Sequence, residues 1–404
     1  MLLRLAFRNV VRQKSRALLT AASVGLGVAS LILAAGFIDD ILWQLREATI
    51  HSQLGHFQVY APGYLESGNT DPLAHTLDQP GRAVAALQTV EGISVIGARL
   101  QMSALLSNGR SQLPVIVEGV EPEAEARIGT AFAIVSGMPL EASRGPSAVV
   151  GEGLAAALGL APGDSLTLLV ASREGALNTL DVTLAGISRS PFKDYDARSV
   201  RIRLGDAQEL AGSNSMNALV VLLDPGVTVE GTLATVHRLL NPADYDVRAW
   251  WQLADFYQGT EALYRRQFLV LQVIVSLMVV LGVANAVSMS LHERQAEFGT
   301  ARALGYGPAV VFRQILTESA LLGVAASMLG VVAGALMAVG ISAIGITMPP
   351  PPNSEMAYVA TIRLSPWNFF VAAAVGLFAS VAAAILPAIR LSRMSIVKAL
   401  GHAI

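Results

Sequence analysis

The sequence predicts an α-helical membrane protein with four transmembrane helices and a large α+β domain inserted between the first and the second. Three observations lead there. Only 14% of the residues are charged, where soluble domains carry about 25%. Near-continuous apolar runs recur at four places, and each is long enough to cross a hydrocarbon core of roughly 30 Å at about 1.5 Å per residue. Between the first two runs, residues 39–267 carry the charges, prolines and alternating patterns of a soluble fold.

The elements follow in order. Residues 1–16 hold Arg4, Arg8, Arg12, Lys14 and Arg16 among Leu2, Leu3, Leu5, Phe7 and Val10. At helical spacing, Arg4, Arg8 and Arg12 form one basic face, which suits an amphipathic helix lying on an anionic leaflet. The apolar run of 17–38 exceeds the 7–15 residues of a signal-peptide core, so it reads as a retained first span. In it Ala21, Gly25 and Ala29 recur every fourth residue, a small-residue face for helix packing or for a dimer contact. In 39–267 strands are expected at 56–60, 113–118, 165–170 and 218–223, with helices near 81–88, 153–158 and 232–240. Their irregular order predicts an α+β domain and not a doubly wound sheet. The later spans are 268–291, 313–347 and 367–389. A charged loop, 292–312, separates the second from the third. A proline-rich loop, 348–366 with Pro349 to Pro352, separates the third from the fourth and is stiff. A tail, 390–404, closes the chain.

Orientation follows from the basic residues. The N-terminal segment, the 292–312 loop with Arg294 and Arg302, and the tail with Arg390, Arg393 and Lys398 are basic, whereas 348–366 has only Arg363. The positive-inside bias places both termini and the 292–312 loop in the cytoplasm, and hence the large domain outside.

Composition also excludes chemistry. Cysteine is absent, which removes disulfides, thiolate metal sites and a cysteine nucleophile. The six histidines show no metal-ligand spacing, and no lysine follows the glycine spacing of a phosphate-binding loop. No catalytic residue, bound cofactor or metal is expected, and a net charge of −2 gives no case for nucleic acid. Asn285, Ser288 and Glu318 are polar groups at membrane depth, read as cross-helix bonding or a pathway. Trp250, Trp251, Phe256 and Tyr257 read as an aromatic belt or as packing of the domain on the membrane, with substrate contact as the alternative.

The segment Glu293-Arg294-x-x-Glu297-Phe298-Gly299-x-x-Arg302-Ala303-Leu304-Gly305 is a charged helical turn with a glycine stop. Together with the four spans, the Leu5–Arg12 start, the Val150–Leu160 motif followed by Gly163-Asp164, and the Pro387–Leu400 tail, it resembles the MacB/FtsX/LolC-LolE family of ABC transporter permeases. The resemblance implies a bacterial inner-membrane permease with a periplasmic domain. It implies that ATP and Mg are bound by a separate cytoplasmic ATPase dimer, and that a second permease copy or paralogue completes the complex. It also implies a coupling helix carried by Glu293, Arg294, Glu297, Phe298, Gly299, Arg302 and Gly305, with Phe298 as an apolar knob for the ATPase groove. Lipoprotein release with a periplasmic carrier is the expected output. Efflux through an adaptor, or activation of a cell-wall hydrolase, are the alternatives.

Overall fold

The computed structural model describes residues 14–67, 72–77, 79–171, 176–348 and 358–394. The expected amphipathic helix up to residue 13, the Pro349–Pro352 segment and the tail beyond 394 lie outside them. The chain forms two units, one of residues 1–43, 260–348 and 359–404, the other of residues 44–259 and 349–358.

Among the described residues, four helices are long and apolar enough to cross a membrane. They are α1 (Lys14–Thr49), α2 (Asp255–Glu293), α4 (Pro308–Ile344) and α5 (Pro366–Ser392), with the short α3 (Gln295–Ala303) between α2 and α4. Each runs beyond one or both ends of the apolar stretch read from hydropathy, because polar helical turns continue it: Gln44–Thr49 prolongs α1 and Asp255–Gln267 precedes the apolar part of α2. Gly345, with φ of +66°, ends α4 in a left-handed conformation that suits glycine.

Small residues set the spacing inside the bundle. Gly25 faces Gly330, Ala29 faces Gly334, and Ala21 packs on the same apolar cluster. The stripe seen in the sequence therefore packs α1 on α4 within one chain. A Cβ placed on Gly330 would lie 2.6 Å from the Gly25 carbonyl oxygen and 2.9 Å from its Cα. Both are backbone atoms and cannot swing aside. Gly330→Val is therefore expected to push the helices apart at a cost of roughly 1–3 kcal/mol, read as reduced resistance to denaturation in detergent. An unchanged midpoint would refute the close contact.

The other unit carries a ten-stranded sheet in the order β10-β1-β9-β2-β3-β8-β5-β7-β4, with β6 bridging β2 and β7. The strands are β1 (Phe57–Tyr60), β2 (Ile93–Ser107), β3 (Gln112–Val120), β4 (Ala133–Gly137), β5 (Ser147–Gly151), β6 (Ser165–Ala171), β7 (Leu177–Arg189), β8 (Ser199–Arg203), β9 (Ala218–Leu223) and β10 (Asp246–Ala249). The pairs β3–β8 and β5–β7 are parallel and the rest antiparallel, which fits the α+β expectation. Two cores form. One gathers Leu100, Met102, Val117, Leu154 and Leu168, the other Phe57, Leu87, Leu219, Val221 and Val236. The Val150–Leu160 motif is β5 followed by a helix that stops at Gly159 (φ +62°), where the Leu160 N–H returns to the Ala155 carbonyl at 2.9 Å. Trp250 is buried against Tyr257 and Trp251 within its own unit, which differs from the belt or membrane packing expected for it.

The chain leaves α1 through one π-turn, Ile50–Leu54, whose last carbonyls need donors. Two buried arginines supply them: Arg99 Nη1 donates to Gln53 O at 2.8 Å and Arg201 Nη2 to Ser52 O at 3.4 Å. Their charges are met by Glu125, 2.9 Å from Arg99 and 3.2 Å from Arg201, and by Glu118, 3.3 Å from Arg201. Tyr195 donates to Glu118 at 2.6 Å and Phe132 lies under the Arg201 guanidinium at 3.6 Å. Two positive and two negative groups thus compensate one another in a buried site, as buried charges require.

Nearby, His56 Nδ1 accepts the Leu223 N–H at 3.1 Å. Burial, then the charges of His51 and Arg46, lower its pKa from 6.5 to about 4. Below pH 6.5 the unfolded chain takes up a proton that the folded one refuses, so this group's contribution is complete above 6.5 and fades as pH falls toward 4. Tryptophan-fluorescence melts of the intact chain are expected to show that decline, and His56→Asn, which keeps an acceptor, to flatten it. An identical slope in the variant would assign the decline to other groups.

Candidate functional site

The segment between α2 and α4 is built from a break, a short helix and a glycine stop. Arg294 leaves helical geometry with φ −99° and ψ 10°, which separates α2 from α3. Gly305, at φ +99°, ends the turn after α3, and Pro308 opens α4 where its missing N–H costs nothing.

Phe298 sits at the centre of this segment and points inward. It is 4% exposed and packs with Leu291 of α2, Val311 and Ile315 of α4, and Ala388 and Leu391 of α5. This corrects the expectation of an exposed knob: the ring stabilises the fold by roughly 1.5–3 kcal/mol of apolar burial and is not available to a partner. Gln295 and Gly299 are buried on the same face. Arg294 is also internal. Its guanidinium lies 4.9 Å from the Phe298 ring, its Nη1 donates to Glu318 Oε2 at 2.8 Å, and its Nε donates to Glu297 Oε2 at 3.0 Å. Gln314 Nε2 donates to the other Glu318 oxygen at 3.3 Å. Glu318, read from the sequence as a polar group at membrane depth, is thus a counter-charge that fixes the loop to α4. Arg302 Nη1 donates to the Met394 carbonyl just past α5.

The structure therefore brings Arg294 and Phe298 into one internal anchor, leaves Glu297 exposed but paired with Arg294, turns Arg302 toward the end of α5, and leaves Glu293 and Gly305 at the exposed ends. What reaches outward is a set that the sequence reading did not single out: Leu304, 79% exposed, and Tyr306, 51% exposed. The available signal was angular. Leu304 lies six residues past Phe298, about 240° round a helix of 3.6 residues per turn, and Gly305 and Gly307 flank Tyr306. Asn285 of α2 is exposed, and Ser288 is half-buried. Among the described residues no group of three or more His, Asp or Glu side chains has metal-binding geometry.

Comparison with known proteins gives the following. Residues 17–239 match the family described as MacB-like periplasmic core domain, and residues 269–396 match FtsX-like permease C-terminal. The lipoprotein-releasing system transmembrane protein LolC of Neisseria meningitidis serogroup B is 24% identical over 344 residues, 79% of this chain and 76% of that protein. The protein of the same name from Xylella fastidiosa is 23% identical over 328 residues, 78% and 74% of the two chains. Among solved structures, the periplasmic region of MacB from Actinobacillus actinomycetemcomitans aligns with TM-score 0.38 and 10% identity, covering 50% of this chain and 92% of that one. The extracellular domain of the noncanonic ABC-type transporter YknZ from Gram-positive bacteria aligns with TM-score 0.35 and 14% identity, covering 47% and 98%. With a core domain and a permease segment matched in this order along most of its length, the chain belongs to the MacB/FtsX/LolC family of ABC transporter permeases.

Proposed function

We propose that this chain is the membrane subunit of an ATP-driven machine of the bacterial inner membrane that extracts or moves lipoproteins or other amphipathic cargo at the outer leaflet. Both termini and α3 are cytoplasmic in this reading, and the sheet domain, which follows α1 and precedes α2 in the chain, is periplasmic. A separate ABC ATPase dimer supplies the energy, and a second permease, identical or paralogous, completes the complex with a periplasmic carrier. The names of the curated relatives favour lipoprotein release over efflux or hydrolase activation. Asn285 supports the second copy: its amide is exposed on an otherwise apolar stretch of α2, where facing hydrocarbon unpaired is costly and a neighbouring helix relieves the cost.

The observation that carries the reading is the construction of the 293–306 segment. A loop that only solvates a membrane face needs no internal Arg294–Glu318 pair and no buried Phe298. A lever does, because force delivered at its tip must reach α2, α4 and α5 without being absorbed by local bending. The contact residues are then Leu304 and Tyr306, with Glu293 and Glu297 as polar rim. Leu304→Ala with Tyr306→Ala is expected to weaken ATPase binding by tenfold or more, as loss of a central hot spot of about 2 kcal/mol does, while leaving the permease folded. Co-purification and permease-stimulated ATP hydrolysis measure it. Full stimulation in the double variant would sink the assignment.

A further inference from the structure

The four-helix unit contains a groove of 340 Å³ between α1, α2 and α5, at the small end of ligand sites of about 300–1,000 Å³. Its lining is graded from polar to apolar along α1 and α5. Asp39 of α1, Arg265 of α2 and Asn368 of α5 line the groove toward the ends of their helices nearest the large domain in sequence or, for α5, its first turn. Further into the apolar runs the lining becomes Ala35 and Leu31 on α1 and Phe268 on α2. One end is therefore charged with both signs, and the other is mostly apolar, with Gln272 as its polar member.

The charged end has spare capacity. Asp39 Oδ2 accepts a hydrogen bond from Asn368 Nδ2 at 2.7 Å, and its second oxygen makes no hydrogen bond to a described residue. The Arg265 side chain is 69% exposed and pairs only on one edge, through Nε and Nη2 to Glu261, so Nη1 remains for another oxygen. Trp367, 68% exposed at the start of α5 and stacked on Phe370, marks the level of a headgroup region.

We propose that this groove binds one outer-leaflet glycerophospholipid bearing a primary ammonium. Its phosphate meets Arg265, its ammonium meets Asp39, and one acyl chain lies along Phe268, Ala35 and Leu31. The two-signed end selects this occupant. An anionic lipid without an amine would set its headgroup against the Asp39 carboxylate, and an acylated peptide carries no phosphate for Arg265. The inference rests on the orientation proposed above only in naming the leaflet.

The test is native mass spectrometry of the full-length chain released from vesicles of equal phosphatidylethanolamine and phosphatidylglycerol, with no ATPase and no cargo present. The wild type is expected to retain one lipid per chain, with phosphatidylethanolamine about fivefold in excess, a selectivity of the size that a partly exposed ion pair gives. Ala35→Trp, which fills the chain slot, is expected to lose the adduct. Asp39→Asn keeps an acceptor for Asn368, and it is expected to retain a lipid but to level the ratio. Equal retention by wild type and Ala35→Trp would overturn the site. So would a preference for phosphatidylglycerol, or an unchanged ratio in Asp39→Asn, a variant that keeps the proposal testable if the tryptophan disrupts the bundle. Because neither nucleotide nor cargo enters the measurement, failure here leaves the coupling assignment standing, and failure of coupling leaves this one.

Discussion

Arg294→Ala is expected to destabilise the permease by roughly 3–5 kcal/mol, the cost of leaving a buried carboxylate without its partner. Glu318 is 9% exposed, and Arg294 meets it at 2.8 Å. The same substitution removes the bond to Glu297 and the guanidinium over Phe298, so α3 loses three ties at once. Denaturation in detergent measures the loss, and stimulated hydrolysis by the partner ATPase measures its consequence. The paired change Arg294→Met with Glu318→Leu separates the two effects. It removes the uncompensated charge and keeps the volume apolar, so stability should return most of the way. A single variant within about 1 kcal/mol of the wild type, the range of a surface pair, would show that the bridge is solvated.

Arg201→Ala is expected to produce a loss of similar size, roughly 3–5 kcal/mol, in the sheet domain. Arg201 touches Glu118, Glu125, the Ser52 carbonyl and the face of Phe132. Removing it leaves two buried carboxylates sharing Arg99. Burial by itself would raise the Glu125 pKa, but Arg99 and Arg201 outweigh it and hold the carboxyl below its ordinary value. Its contribution is therefore present above the unfolded carboxylate pKa and is lost as pH falls below it. In Arg201→Ala that holding weakens, the folded pKa moves up toward the unfolded one, and the decline on acidification becomes shallower. Arg201→Lys should rescue little, since a point charge cannot bridge two carboxylates and stack on a ring together. Urea titration followed by Trp250 and Trp251 fluorescence decides it, and a shift below about 1 kcal/mol would mean water enters the cluster.

The four long helices were legible because unbroken apolar runs have few other uses, and the α+β character because strands such as Ala218–Leu223 announce themselves by composition. Helix ends were not legible: Gln44 to Thr49 is polar enough to read as loop, yet it continues α1. The two longest strands, β2 and β7, escaped because Gly97 and Gly186 interrupt their patterns and their order is imposed by neighbours far along the chain. The 293–305 segment was legible as an element but not in its facing. One phenylalanine on a nine-residue helix is equally a knob or an anchor until its surroundings are known, and those, Val311, Ile315, Ala388 and Leu391, come from two other helices. Glu318 likewise looked like an isolated polar group, since its partner lies across a helix break.

The two carbonyls held by Arg99 and Arg201 have a mechanical implication. Peptide oxygens have no rotamers to absorb a twist, and the guanidinium groups that grip them are themselves held by Glu118, Glu125 and the Phe132 ring. Torque arriving through residues 44–54 would then load the middle of the sheet without backlash, like a keyed shaft in its hub.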